Sequence, residues 1–177
     1  MWSTSLSDVF MKRIKEVFPK IITVSGGPNF PSSMDEQFEY LKEKPWIDYY
    51  IVKEGEHAFF RLISELINKS SIEIISELPN LVFINNGKFH RHKTIERVMN
   101  LAEIPSPYLS GRLDSFLDGK LLPIIQTNRG CPFSCTFCTE GNGYYSKVSK
   151  LSSDHKNSEV DYIVERVKHT KTLRVTD

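Results

Sequence analysis

Hydrophobic and polar positions along residues 1–70 recur at the intervals of alternating helices and strands. Apolar side chains largely on one face predict a helix over 7–18, with Ser7 as its N-cap. A β-branched run predicts a strand over 21–24, and a second helix opens near Ser33, which has capping-box spacing to Glu36. A second strand is predicted over 47–52 and a turn over 54–56. A third helix follows, with these side chains directed inward: Phe59, Ile63, Leu66 and Ile67.

This alternation predicts an α/β fold with right-handed βαβ units and a parallel sheet. Two strands and three helices make only part of a doubly wound, Rossmann-like domain. Because such a domain normally begins with a strand, we expect its N-terminal half to lie outside this sequence.

The pattern changes after residue 70. Apolar residues on both sides of Asn86-Gly87 predict a β-hairpin over 81–91, since Asn-Gly favours the type I′ turn. Prolines and glycines predict that 93–120 is a linker with about one turn of helix. A strand over 121–127, a helix over 158–169 and a strand from 173 then open a second βαβ series. The predicted domains are 1–70, a hairpin and linker over 71–120, and 121–177.

Composition narrows the class of protein. The chain has 177 residues, 25% of them charged, and a formal net charge of +1. This balance gives no reason to expect nucleic acid or an anionic membrane as a partner. Without an apolar run of about 20 residues or a leader-like N-terminus, we expect a cytoplasmic protein. Cysteines clustered in a reducing compartment are more often metal-binding or catalytic than disulfide-forming.

All three cysteines fall in one short stretch, as Cys131, Cys135 and Cys138, with the spacing C-x3-C-x2-C. Three thiolates can hold three irons of a [4Fe–4S] cube and leave the fourth iron for another ligand. We expect Gly130 and Pro132 to shape the loop and the aromatic Phe137 to shield the cluster from solvent. The competing interpretation is zinc, which takes four ligands, with His155 as the fourth.

The cysteine spacing, with an aromatic residue before the third cysteine, resembles the signature of the radical S-adenosylmethionine (radical SAM) superfamily. Residues 127–130, Thr-Asn-Arg-Gly, also resemble the T-x-R-G-C-P opening that is common there. The resemblance implies a loop after the first strand of a partial (β/α) barrel. It further implies that SAM chelates the open iron and that the reduced cluster cleaves SAM to a 5′-deoxyadenosyl radical. An electron donor such as flavodoxin or ferredoxin and a substrate of unknown identity are the implied partners.

The first half resembles the C-terminal part of a cobalamin-binding domain, in residues 24–28, 47–52 and 54–56. Residues 104–108 resemble the segment that joins such a domain to a radical SAM core. Cobalamin is therefore a candidate cofactor, and the resemblance places Gly26 and Gly27 near its nucleotide tail. The histidine motif D-x-H-x-x-G of such domains is absent. A strand-to-loop turn with positive φ also explains the two glycines. Glu54 and Glu56 are interpreted as solvated carboxylates near a helix N-terminus.

The sequence thus predicts a radical SAM protein of the cobalamin-domain type that catalyses methyl transfer or another radical modification of an unactivated carbon. Two other functions remain open. One is a non-catalytic zinc-binding module. The other is an inactive fragment of a radical SAM enzyme, because two strands and one helix cannot close a barrel.

Overall fold

The structure is a computed structural model that describes residues 2–93, 96–138, 141, 143–168 and 172–176. The chain forms two compact units, Met1–Arg97 and Val98–Asp177. Both mix helices with short strands, which confirms the predicted α/β class. The predicted domain boundaries at residues 70 and 120 stay a prediction. Among the described residues, no helix has the length and apolar character needed to cross a membrane.

A four-stranded sheet organises the first unit, in the order β1 (Val24–Gly26), β2 (Tyr49–Ile51), β3 (Leu81–Asn85), β4 (Lys88–Arg91). Strands β1 and β2 are parallel, as the βαβ prediction requires. The predicted hairpin is also present, with φ values of 49° at Asn86 and 75° at Gly87. Strand β3 pairs antiparallel with β2, however, so the hairpin extends this sheet instead of acting as part of a linker.

Four helices accompany the sheet: α1 (Trp2–Val17), α2 (Met34–Lys42), α3 (Glu56–Ile67) and the short α4 (Ile72–Ser76). The start of α2 is as predicted, because the Ser33 side chain accepts a hydrogen bond from the Glu36 amide at 3.3 Å. Successive residues of β2 serve two cores, since side chains alternate across a strand. Ile51 packs with Leu62 of α3, and Tyr50 packs with Leu41 of α2.

Three local predictions for this unit are wrong. Ser7 is not an N-cap, because α1 begins at Trp2. The first strand begins at Val24, not at Ile21, because Thr23 is bound to the Asp48 carboxylate through its amide at 2.7 Å.

The buried face of α3 is also displaced from the predicted one. Ala58 and Leu62 are buried and Leu66 packs beside them, whereas Phe59 and Ile67 are exposed. The fourth predicted inward side chain, Ile63, is half-buried.

In the second unit, β5 (Ile124–Ile125), α5 (Ser153–Arg166) and β8 (Arg174–Val175) form the predicted βαβ element, with β5 and β8 parallel. Helix α5 begins earlier than predicted because Ser152 caps it, accepting from the His155 amide. It also ends earlier than the predicted end at His169, because the backbone turns to an extended conformation at Val167 and the helix stops at Arg166. An unpredicted antiparallel pair, β6 (Asn128–Arg129) and β7 (Ser149–Lys150), lies between β5 and α5. Short 3₁₀ helices cover Leu101–Glu103 and Asp114–Phe116.

Candidate functional site

The three cysteines lie on the loop that joins β6 to β7. Arg129 pairs with Ser149 at the base of this loop, and the Cys131 amide donates to the Tyr145 carbonyl oxygen at 2.9 Å. Gly130 has a φ of 112°, a left-handed value that glycine adopts without steric cost. The predicted role of Gly130 in shaping the loop is therefore confirmed.

The cysteine thiols are free of disulfides. Cys131 is half-buried, and Cys135 and Cys138 are exposed. The Cys138 amide donates to the Cys135 carbonyl oxygen at 3.2 Å, and the Gly141 amide donates to the Cys138 carbonyl oxygen at 3.0 Å. The chain thus makes two consecutive turns after Cys135, which leave the second and third thiols accessible to a ligand.

Gly141 allows the loop to fold back onto its second cysteine. A β-carbon added at Gly141 would overlap the Cys135 carbonyl oxygen and lie 2.9 Å from the Cys135 amide nitrogen. Since only hydrogen fits there, any other residue must displace the backbone of Cys135. Sequence reasoning missed this residue. Its signal was a glycine three positions after the last cysteine.

The donor set suits an iron–sulfur cluster better than a single metal ion. In the described part of the chain, no three His, Cys, Asp or Glu side chains are gathered closely enough to hold one ion. A cube presents its irons at separate corners, so its ligands do not have to converge on one point. Thiolates are the ligands that such clusters use. By donor type, Cys131, Cys135 and Cys138 fit a cluster.

His155, the fourth ligand of the zinc alternative, lies in the first turn of α5. Its Nε2 atom is 3.6 Å from Glu159 Oε1, and the structure does not group it with the cysteines. Nothing in the described residues supports the zinc alternative.

Phe137 lies in the turn between the second and third cysteines and is 91% exposed. Its ring therefore packs little against the described protein. The predicted contact of Phe137 with a cofactor stays a prediction.

Gly26 and Gly27 lie at the carboxyl end of β1, beside a cavity of about 130 Å³. Gly27 has a φ of 117°, as expected for a strand-to-loop turn, and its carbonyl oxygen accepts a hydrogen bond from Tyr50 Oη at 3.2 Å. Burial raises the pKa of Tyr50, so its hydroxyl stays a donor. A β-carbon at Gly26 would come within 3.2 Å of the Ile51 carbonyl oxygen. The contact of Gly26 and Gly27 with the nucleotide tail of cobalamin stays a prediction.

The interpretation of Glu54 as a solvated carboxylate is wrong. Its side chain is only 6% exposed and is paired with Arg97, whose Nε lies 3.2 Å from Glu54 Oε1. The Asn80 side-chain amide donates to the Glu54 carbonyl oxygen at 3.1 Å and to the Glu96 carbonyl oxygen at 2.9 Å. Glu56, by contrast, is exposed in the first turn of α3, as predicted.

No protein-family model matches the chain. Two curated proteins are similar to it over nearly its whole length. A 2-(S-pantetheinyl)-carbapenam-3-carboxylate methyltransferase from Streptantibioticus cattleyicolor is 28% identical over 93% of this chain. The cobalamin-dependent radical SAM methyltransferase TokK from Streptomyces tokunonensis is 26% identical over 92% of it. The chain is related to the cobalamin-dependent radical SAM methyltransferases.

Solved structures agree with this relationship at the level of the fold. One is the cobalamin-dependent SAM radical enzyme OxsB, solved with aqua-cobalamin and SAM, which matches with a TM-score of 0.63 and 22% sequence identity. The match covers 93% of this chain and 22% of the OxsB chain. The radical SAM methyltransferase TsrM from Kitasatospora setae, solved with cobalamin and a [4Fe–4S] cluster, has a TM-score of 0.55 and 13% identity, over 88% of this chain and 31% of its own. The predicted family resemblance is thereby confirmed. The chain spans 24% of the length of each of the two curated relatives.

Proposed function

We propose that the chain carries the cluster-binding segment of a cobalamin-dependent radical SAM enzyme, with Cys131, Cys135 and Cys138 as ligands of a [4Fe–4S] cluster. One observation carries the proposal: three free thiols lie on a single loop, closed at its base by β6 and β7 and followed by a helix and a parallel strand. The relationship to radical SAM methyltransferases supports it.

When bound, the cluster would supply the electron that cleaves SAM, for radical modification of a substrate or for cobalamin-dependent methyl transfer to it. The chain's own residues would bind the cluster and shield it from solvent. The thiolates would hold the irons and Phe137 would cover the cluster against water, while Gly141 keeps the Cys135 backbone close. Gly26 and Gly27 would border the cobalamin. A flavodoxin or ferredoxin would deliver electrons in the cytoplasm, where thiols stay reduced.

Anaerobic reconstitution with iron and sulfide tests the cluster. We expect about four irons per chain and a visible absorption that dithionite bleaches. Replacing any of the three cysteines with serine should lower the iron content. Because the sequence has no other cysteine, no other thiol could replace the lost ligand. Binding of one zinc ion in place of iron, abolished by His155→Ala, would contradict the proposal.

Cleavage of SAM is tested separately, by measuring 5′-deoxyadenosine after dithionite and SAM are added to the reconstituted chain. We expect weak turnover or none, since the chain spans about a quarter of its curated relatives and the barrel predicted from its sequence is incomplete. Robust multiple turnover would show that the two strands and one helix suffice for the chemistry.

A further inference from the structure

A cavity of about 590 Å³ lies within the first unit, at the end of the sheet where β2 begins and β3 ends. Its lining comes from α2, the start of β2, α4 and the β3–β4 hairpin. Because β1 and β2 are parallel, this is the opposite end of the sheet from Gly26 and Gly27. The volume lies within the range of about 300–1,000 Å³ that is usual for small-molecule pockets.

Aromatic and aliphatic side chains form most of the cavity wall. Three of them are aromatic. Phe38 on α2 is half-buried, and the rings of Tyr49 and Phe83 lie with their centroids 5.2 Å apart. A wall of this kind suits a flat organic ring, because aromatic side chains offer large apolar contact areas.

The charged groups of the lining are already paired within the protein. Asp48 Oδ2 lies 2.6 Å from Lys15 Nζ, and it also accepts a hydrogen bond from the Thr23 amide at 2.7 Å. Lys42 Nζ lies 3.2 Å from Glu39 Oε2 on the same helix. A charged ligand would therefore have to displace an existing partner, so the cavity favours a neutral one.

Two neutral polar side chains of the lining have hydrogen-bonding capacity to offer a ligand. Within the described part of the chain, Tyr49 has a ring contact with Phe83 and an electrostatic interaction with Asp48, and neither is a hydrogen bond. The Asn85 side-chain amide has no hydrogen-bond partner among the described residues. Burial raises the pKa of Tyr49, so its hydroxyl stays protonated and can donate. The amide presents a donor and an acceptor side by side.

These two side chains lie on the same face of the sheet. The pairing of Tyr50 with Val82 sets Tyr49 opposite Phe83. Because side chains alternate along a strand, Asn85 lies on the same face as Phe83. Tyr49 and Asn85 are therefore diagonal neighbours on β2 and β3, at a separation that an aromatic side chain can reach across.

We propose that this cavity binds a neutral purine with the hydrogen-bonding edge of adenine. The Asn85 amide donates to N7 and accepts from the N6 amino group, which is the pairing that amide side chains make with adenine. The Tyr49 hydroxyl donates to N1, and the ring packs against the wall that includes Phe38. Binding involves no covalent step. The proposal does not depend on a cluster in the cysteine loop or on cobalamin near β1, so each can fail separately.

The test is binding of adenosine to the full chain without a reconstituted cluster, measured by calorimetry and by amide chemical shifts. Shifts should change at 38–42 and 83–87. Two analogues, 7-deazaadenosine without the N7 acceptor and 1-deazaadenosine without the N1 acceptor, should each bind about tenfold more weakly. Inosine, which has an acceptor in place of the N6 amino group, should also bind about tenfold more weakly. Adenosine 5′-phosphate should bind no more tightly than adenosine.

Variants assign the two contacts. Asn85→Asp keeps the acceptor and removes the donor, so it should weaken adenosine about tenfold and leave 7-deazaadenosine unaffected. Tyr49→Phe should weaken adenosine and leave 1-deazaadenosine unaffected. The matched control is Asn157→Asp, an exposed change in the second unit, which should alter neither.

Circular dichroism shows whether each variant is folded, and the two deaza analogues test the same contacts on the unaltered chain if a variant is not. The proposal is overturned if the unaltered chain does not bind adenosine at about 1 mM, or if either folded variant binds adenosine as tightly as the unaltered chain. Binding of adenosine 5′-phosphate about tenfold more tightly than adenosine would also overturn it, because the ligand would then be an anion.

Discussion

Replacing Arg97 with alanine should strongly destabilise the first unit. The change leaves the Glu54 carboxylate without its guanidinium partner in a site where the two side chains are only 9% and 6% exposed. Removing one member of a buried ion pair costs about 3–5 kcal/mol, because the remaining charge stays desolvated. Asn80 cannot replace the guanidinium, since both hydrogens of its side-chain amide are already donated to the carbonyl oxygens of Glu54 and Glu96.

Urea unfolding followed by tryptophan fluorescence measures this loss in the first unit alone. Both tryptophans of the sequence, Trp2 and Trp46, belong to Met1–Arg97. With an m-value of about 1–3 kcal/mol per molar urea, a loss of about 3 kcal/mol lowers the midpoint by at least about 1 M. If Arg97→Ala proves too unstable to purify, Glu54→Gln probes the same pair by a milder change.

The matched control is Arg13→Ala. Arg13 forms an ion pair with Glu16 at 3.0 Å, but the side chains are 72% and 50% exposed, so its loss should cost less than about 1 kcal/mol. Replacing Glu54 and Arg97 together with leucine and methionine should recover much of the stability, because no unpaired charge then remains buried. A midpoint for Arg97→Ala equal to that of Arg13→Ala would refute the reasoning.

Three further predictions concern other parts of the chain. Gly141→Ala should reduce the iron bound on reconstitution although all three thiols remain. The control is Gly143→Ala, which should bind iron normally because a β-carbon added there meets no atom within 4 Å. Equal iron contents in the two variants would contradict the role given to Gly141. Burial, together with the nearby Lys88, lowers the pKa of His90 below 6.5, so the unfolded state takes up its proton first. Stability from His90 is therefore complete above about pH 6.5 and is lost as the pH falls through the lowered pKa, and His90→Gln should remove this part of the pH dependence in urea titrations. Tyr108→Phe should lower the free energy of unfolding by about 1–3 kcal/mol and speed hydrogen exchange at the Ile124 amide. The reason is that the Tyr108 hydroxyl accepts from that amide at 3.1 Å and donates to the Ile124 carbonyl oxygen at 2.8 Å. The control is Tyr162→Phe, which loses only an exposed hydrogen bond to Asp114.

Features set by neighbouring residues were predictable from the sequence. The Asn86-Gly87 hairpin and the Ser33 cap depend on a few consecutive residues, and both are present where the sequence predicts them. The ligand role of the three cysteines also rests on residue type and spacing alone, and it stays a prediction. The family relationship that these cysteines indicated is confirmed by the relatives.

Features that depend on distant residues were not predictable. The partner of Glu54 is 43 positions away in sequence, and no local pattern marks Arg97 as buried. The side chains of Val9 and Phe10 on α1 are 65% and 60% exposed, although their periodicity is that of a buried face. Periodicity predicts which residues share a face, but it does not specify whether another element covers that face. Gly141 was missed for a different reason: its role is a close approach to the backbone of Cys135, which depends on how the loop folds and which the residue pattern does not mark.

The buried pair also limits where the first unit can hold a ligand. In open α/β sheets, ligands bind beyond the carboxyl ends of parallel strands. Three residues after the end of β2, the Glu54 side chain is buried against Arg97, and the Asn80 amide donates to the Glu54 carbonyl oxygen. At the end of β1, Gly26 and Gly27 border a cavity of about 130 Å³ instead. We therefore expect any ligand at this edge to lie on the side of β1, where neither glycine has a side chain to obstruct it.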